Sequence, residues 1–117
     1  LGAFFLNLFL TRTLGSDAAL KIASYWLGDN STLYLREGDH LLYWQIDLAD
    51  IERAEMVKQT LKESLHKEAS AEERGILLID SICIAILNKD SILIVVSASN
   101  FTLAEEALDD LIKKGFA

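Results

Sequence analysis

Four kinds of residue in this chain have side chains that could do chemistry, and spacing decides how far each goes. The only histidines are His40 and His66. A metal site gathers ligands at defined intervals, and neither histidine has a companion at such a distance. His66-Lys67-Glu68 is not followed by a second histidine, so the metallopeptidase helix motif is absent. Cys83 lies between Ile82 and Ile84, with no base nearby in sequence to activate a thiolate, and reads as a small core residue. Glu105-Glu106 and Asp109-Asp110 resemble paired catalytic carboxylates. On a helix, however, Asp109 and Asp110 precede Lys113 and Lys114 by four, the spacing of a solvated ion-paired face. The six glycines are scattered and form no phosphate loop, and no serine sits in a nucleophile elbow. The sequence holds no catalytic constellation, no metal site and no cofactor motif.

The fourth kind is aromatic. Trp26, Gly28, Asp29 and Tyr34 form the sharpest local cluster. One reading is an aromatic-lined pocket with Asp29 as its polar contact. The other is structural: Gly28 ends a helix in a left-handed conformation, Asp29 bonds backbone amides in the turn, and Trp26 pins the helix to a sheet. Tyr43 and Trp44 are adjacent on an expected strand and must point to opposite faces. Trp44, in step with Leu42 and Ile46, is expected to face the helices. Tyr43 then joins Tyr34 or Leu41 on an outer face, where an open surface could meet another chain.

These residues need elements to hold them. Leu1 to Leu10 is nearly continuous in apolar residues and reads as a first helix. It is too short, and too soon broken by Asn7 and Arg12, to span a membrane, which takes about 20 apolar residues. No basic start marks it as a signal peptide. Ser16 caps a second helix, with apolar residues from Ala19 to Leu27 and Gly28 as its end. After a turn at Asp29-Asn30-Ser31, Thr32 to Arg36 and Leu41 to Ile46 form a hairpin. A helix follows from Asp47 to about Glu68, capped by Asp47 or Asp50, with an apolar stripe through Ile51, Ala54, Val57, Leu61 and Leu65. Glu68 to Gly75 reads as a polar loop. Ile76 to Leu87 has the apolar run of one or two buried strands. Asn88-Lys89-Asp90 turns the chain into Ile92 to Ala98. Asn100 or Thr102 then starts a last helix, which Gly115 ends.

The order strand, turn, strand, helix thus occurs twice, about fifty residues apart, as a repeat of pattern rather than of identities. The resulting expectation is one α+β domain over residues 1–117: a two-layer sandwich. Its four- to five-stranded, mostly antiparallel sheet comes from two ββα units, with helices on one face and two further N-terminal helices.

Composition narrows the partners. Acidic residues outnumber basic ones by 18 to 11, for a net charge of −7, and the basic residues are scattered among acids. Phosphate recognition needs clustered lysine and arginine, so nucleic acid and anionic lipid are disfavoured. A single cysteine makes no internal disulfide. The chain opens on Leu1 with its one methionine at position 56, which points to a piece of a longer polypeptide.

A resemblance enters over Leu1 to about Met56. Leu1-Gly2 opening an apolar helix, Trp26-Leu27-Gly28-Asp29, Tyr34, Leu42, Trp44, and an Asp before a helix with Ala54 together resemble one domain of uncharacterised bacterial and archaeal proteins. Many of those proteins are extracytoplasmic. The shared motif is tryptophan, any residue, glycine, aspartate, then tyrosine five positions on. This chain lacks the extra glycine or basic residue common beside Asp29, and has Met56 where phenylalanine is usual. The resemblance implies a place downstream of a zinc-metallopeptidase-like segment, outside the cytoplasm, and implies no activity. The function expected is a non-catalytic accessory or protein-interaction domain, its partner the remainder of its own polypeptide or a second copy. The alternative is a small-molecule pocket between sheet and helices, lined by Trp26, Tyr34 and Trp44.

Overall fold

The computed structural model describes residues 26–117. Residues 1–25, and with them most of both expected N-terminal helices, lie outside the described residues, as does the side chain of Trp26.

Strand β1 (Trp26–Arg36) and strand β2 (Asp39–Leu48) form the first hairpin. Helix α1 (Ile51–Glu68) follows, then the short β3 (Ala71–Glu73), β4 (Ile76–Ile79), β5 (Ile82–Lys89), β6 (Ile92–Ala98) and helix α2 (Phe101–Lys113). The six strands make one sheet in the order β1-β2-β6-β5-β4-β3, and every neighbouring pair is antiparallel. The class is α+β as expected, but the sheet has six strands among the described residues where four or five were expected.

Local chemistry accounts for the element ends. Asp50 caps α1, its carboxylate accepting from the Arg53 N–H at 2.8 Å, and Asn100 caps α2 by accepting from the Leu103 N–H at 2.9 Å. The hairpin between β1 and β2 closes through Glu37-Gly38, both at positive φ, 47° and 87°, as a two-residue hairpin turn requires. Asp80 and Ser81, also at positive φ, split the long apolar run into β4 and β5.

Several expectations are corrected. Trp26-Leu27-Gly28 does not end a helix; it opens β1, where Gly28 lies opposite Asp47. Asp29, Asn30 and Ser31 are not a turn, because they pair with Ile46, Gln45 and Trp44. Ladder pairing with β2 overrides their turn preference. Residues 71–73, expected in a loop, add β3 to the sheet by pairing with β4.

The layers differ most. Trp44, Ile46, Leu93, Val95 and Ile86 pack with Ala54, Val57 and Leu61 of α1. Their strand neighbours Val96, Ile94, Ala85 and Leu87 pack with Ala104, Ala107 and Leu111 of α2. Successive strand residues point to opposite faces, so the two helices lie on opposite sides of the sheet. The described residues therefore form three layers, α1, sheet and α2, rather than two. A twofold axis relating β1-β2-α1 to β5-β6-α2 would have to stand perpendicular to the sheet, since β2 and β6 are antiparallel neighbours. Such an axis would leave both helices on one face. The repeat is one of pattern and not of symmetry.

Candidate functional site

The five aromatic and acidic residues singled out in the sequence fall on two sides of the β1-β2 hairpin. Cross-strand partners share a face, and β1 pairs Ser31 with Trp44, Asp29 with Ile46 and Leu33 with Leu42. These residues form the α1 side. Thr32 with Tyr43 and Tyr34 with Leu41 form the α2 side. Tyr34 and Trp44 therefore cannot line one cavity. Trp26 begins β1 opposite Leu48.

On the α1 side Trp44 is 3% exposed, and its indole Nε1 donates to the Asp29 Oδ2 at 2.9 Å. A buried indole N–H needs an acceptor, and Asp29 supplies one from the neighbouring strand. Asp29 thus anchors the core tryptophan to the edge strand, in place of the turn role expected of it. On the α2 side Tyr34 and Tyr43 meet edge to face, with ring centroids 6.1 Å apart and planes at 85°. Tyr43 is half-buried beneath the end of α2, and burial pushes its hydroxyl above the usual tyrosine value, with the Asp110 carboxylate adding to the shift. Tyr34 stays exposed. Beside the two rings runs an open trough of about 440 Å³, reaching Asn30, Thr32 and Gln45 along the strands and Lys114 on α2.

The residues that sequence reasoning passed over are the leucines of β1. Among the described residues this strand is the outermost of the sheet, 11 residues long, and it belongs to neither core formed under α1 and α2. Leu27, Leu33, Tyr34 and Leu35 are 67, 55, 58 and 73% exposed. The signal was present in Leu33-Tyr34-Leu35, an apolar run with no polar alternation, which marks a strand apolar on both faces.

The other candidates take structural places. The Cys83 thiol is buried opposite Ala98, and desolvation raises its pKa, the reverse of what a nucleophile needs. Asp109 does not pair with Lys113; with Glu105 it holds the Arg74 guanidinium, at 2.8 and 3.0 Å, tying the β3-β4 turn to α2. Asp110 does meet Lys114, at 3.0 Å. His66 Nδ1 sits 3.0 Å from the Glu72 carboxylate. Among the described residues, no group of three or more histidine, cysteine or acidic side chains is placed to hold a metal ion, and no helix is long and apolar enough to cross a membrane.

Comparison of the chain with protein-family models, with curated proteins and with solved structures finds no match.

Proposed function

We propose that this chain is a non-catalytic interaction domain of a larger protein, and that it docks through the β1 edge. The observation that carries this reading is the exposure of Leu27, Leu33, Tyr34 and Leu35 along an outermost strand of 11 residues. A long edge strand that exposes apolar side chains, with no strand on its outer side among the described residues, is a template for another strand, and proteins that do not use such an edge blunt it. The chemistry of the candidate sites agrees: the thiol is buried, Glu105, Asp109 and Asp110 of α2 are engaged by Arg74 and Lys114, and Trp44 is bonded to Asp29. Resemblance to a domain that follows a metallopeptidase-like segment supports a role beside other domains, outside the cytoplasm.

A photo-crosslinking amino acid at Leu33 tests the docking edge, with Glu55 on α1 and Glu106 on α2 as exposed controls. Protein adducts concentrated at position 33, of whatever partner, are the expected result. Adducts equal at all three positions, or none, would remove the reading.

The trough beside Tyr34 and Tyr43 favours a second reading, a small-molecule site. Two tyrosine hydroxyls, the Asn30 and Gln45 amides and the Thr32 hydroxyl line it around aromatic surface, a mixture that suits a flat polar ligand. Chemical-shift changes confined to Asn30, Thr32, Tyr34 and Tyr43 in a ligand screen would support it. A screen that moves only β1 backbone signals would not.

A further inference from the structure

The strand that best complements the open edge of β1 is β1 itself. The two-residue turn at Glu37-Gly38 makes Arg36 and Asp39 a close hydrogen-bonded pair. Alternation from that pair turns the main-chain groups of Tyr34 and Thr32 towards β2. Those of Leu35, Leu33 and Ser31 turn outwards, where no described strand lies. The far side of β2 has the same phase, since the Ser99 N–H donates to the His40 carbonyl at 3.0 Å.

We propose that two copies of this chain pair antiparallel through β1, about a twofold axis at Ser31, and so join their sheets into one; the proposal rests on the reading of β1 as the docking edge. A twofold axis that makes strands antiparallel stands perpendicular to the sheet and keeps each face on its own side. Paired residues must then be both odd or both even in number. Centring on Ser31 satisfies this and uses the strand most fully. Ser31 meets Ser31, Asn30 meets Thr32, Asp29 meets Leu33, and Gly28 meets Tyr34. Leu27 and Leu35, the two most exposed leucines of the strand, come together beyond them at both ends. Gly28 has open space where a Cβ would sit, with nothing within 4 Å, so the partner's tyrosine ring can lie over it. The irregularity in the β1-β2 register, between Trp26 and Gly28, falls at Leu27, so the regular pairing runs from Gly28 to Tyr34 and the leucines meet at its margins.

Charge favours the same partner. The chain carries −7 in all, but β1 holds one acid, Asp29, and one base, Arg36, and is neutral. Antiparallel pairing brings the Arg36 end of each copy towards the Asp29 end of the other, whereas parallel pairing would stack like on like. The opposite edge of the sheet cannot compete. Strand β3 has three residues, two of them Glu72 and Glu73, so a β1-β3 contact is short and cannot propagate a fibre. A contact of β1 with β1 is self-complementary and closes as a dimer.

Cysteine substitutions along the outward positions test both the partner and the register, in the 117-residue chain with native Cys83 left buried. At Ser31 the two Cα atoms would stand about 5.5 Å apart, within disulfide reach. At position 33 they would be about 14 Å apart and at position 35 about 27 Å, which no disulfide spans. S31C is expected to form disulfide-linked dimer about tenfold faster than L33C or L35C under mild oxidation. Unmodified chain should sediment as a concentration-dependent dimer, lost in L33K, with the melting temperature of the two equal at a concentration that keeps both monomeric. Faster linkage through L33C or L35C would overturn the Ser31 register and the proposal. A monomer whose Leu33 photo-crosslinks to a different protein would overturn self-pairing and keep the docking edge. A monomer with no adducts at Leu33 would end both.

Discussion

The two edges of this sheet are built to opposite specifications. The β3 edge is three residues long, carries Glu72 and Glu73, and follows α1 directly. Its turn residue Arg74 is held by Glu105 and Asp109 of α2. Short length, like charges and a pinned turn are devices that stop a sheet from growing. The β1 edge has none of these over its central residues. It is 11 residues long and neutral in sum, with exposed Leu27, Leu33, Tyr34 and Leu35 on either side of the polar stretch from Asp29 to Thr32. One sheet thus ends in a stop on one side and in an acceptor on the other, and the contrast says where a partner belongs. It also separates stability from association: the core lies under the helices, and the apolar surface of β1 lies outside it.

The sharpest way to break that separation is in the core. Leu93, fully buried in β6, should lose about 3 kcal/mol when replaced by alanine, whereas Leu33→Ala on β1 should stay within about 0.5 kcal/mol. Chemical denaturation of both variants at a concentration that keeps the chain monomeric checks this, and equal losses would place β1 in the core after all. Next is the tie between the two regions. Asp29→Ala removes the carboxylate that accepts the Trp44 indole N–H and should cost about 1–2 kcal/mol by the same measurement, with Asp29→Asn recovering much of it. Asn100→Ala removes the cap of α2 and should cost about 1 kcal/mol, while Asn100→Asp, which keeps a side-chain acceptor, should not.

Smaller in free energy, but aimed at the edges themselves, is the exchange of their characters. Glu72→Val with Glu73→Val should raise light scattering on concentration, because it removes the charges that blunt β3. Leu33→Lys with Leu35→Lys should lower any self-association, with little change in melting temperature in either case. The smallest effect is in pH. The Asp50 carboxylate accepts the Arg53 N–H and so titrates below its ordinary 3.8. Its contribution to stability is therefore complete above that value and is lost as pH falls through the lower folded value. In Asp50→Asn, which caps without titrating, the fall in stability below pH 4 should be shallower; an unchanged acid limb would show that Asp50 does not contribute to it.

Much of this fold is legible along the chain, where the deciding physics is local. Asp50 and Asn100 were both among the expected caps, and the stripes Ala54-Val57-Leu61-Leu65 and Ala107-Leu108-Leu111 are the buried faces of α1 and α2. The hairpin about Glu37-Gly38 was equally plain. Strand β1 extends back past Thr32 although Asp29-Asn30-Ser31 have turn chemistry, which ladder bonds to Gln45 and its neighbours overrule. The third layer was announced more quietly. Ile82–Leu87 and Ile92–Val96 are apolar at consecutive positions, as strands covered on both faces must be, and that run argued against a sheet with helices on one side only. Of the candidate site, strand alternation places Tyr43 on the face opposite Trp44 but leaves Tyr34 or Leu41 open as its neighbour. The contact of Tyr34 with Tyr43 and the bond from Trp44 to Asp29 both depend on a register that only the formed hairpin sets.

The amino-acid sequence by itself determined the α+β class, the candidate helix caps, the hairpin turn and the alternation of side chains along the strands it marks, because these follow from hydrogen bonds and side-chain periods spanning a few residues. Only the tertiary structure decided that β6 inserts beside β2, that α1 and α2 lie on opposite faces, and that β1 is left as the apolar edge. Those choices rest on pairings between segments some fifty residues apart, such as Trp44 with Val95, where burial of two-sided apolar strands outweighs anything the local chain prefers.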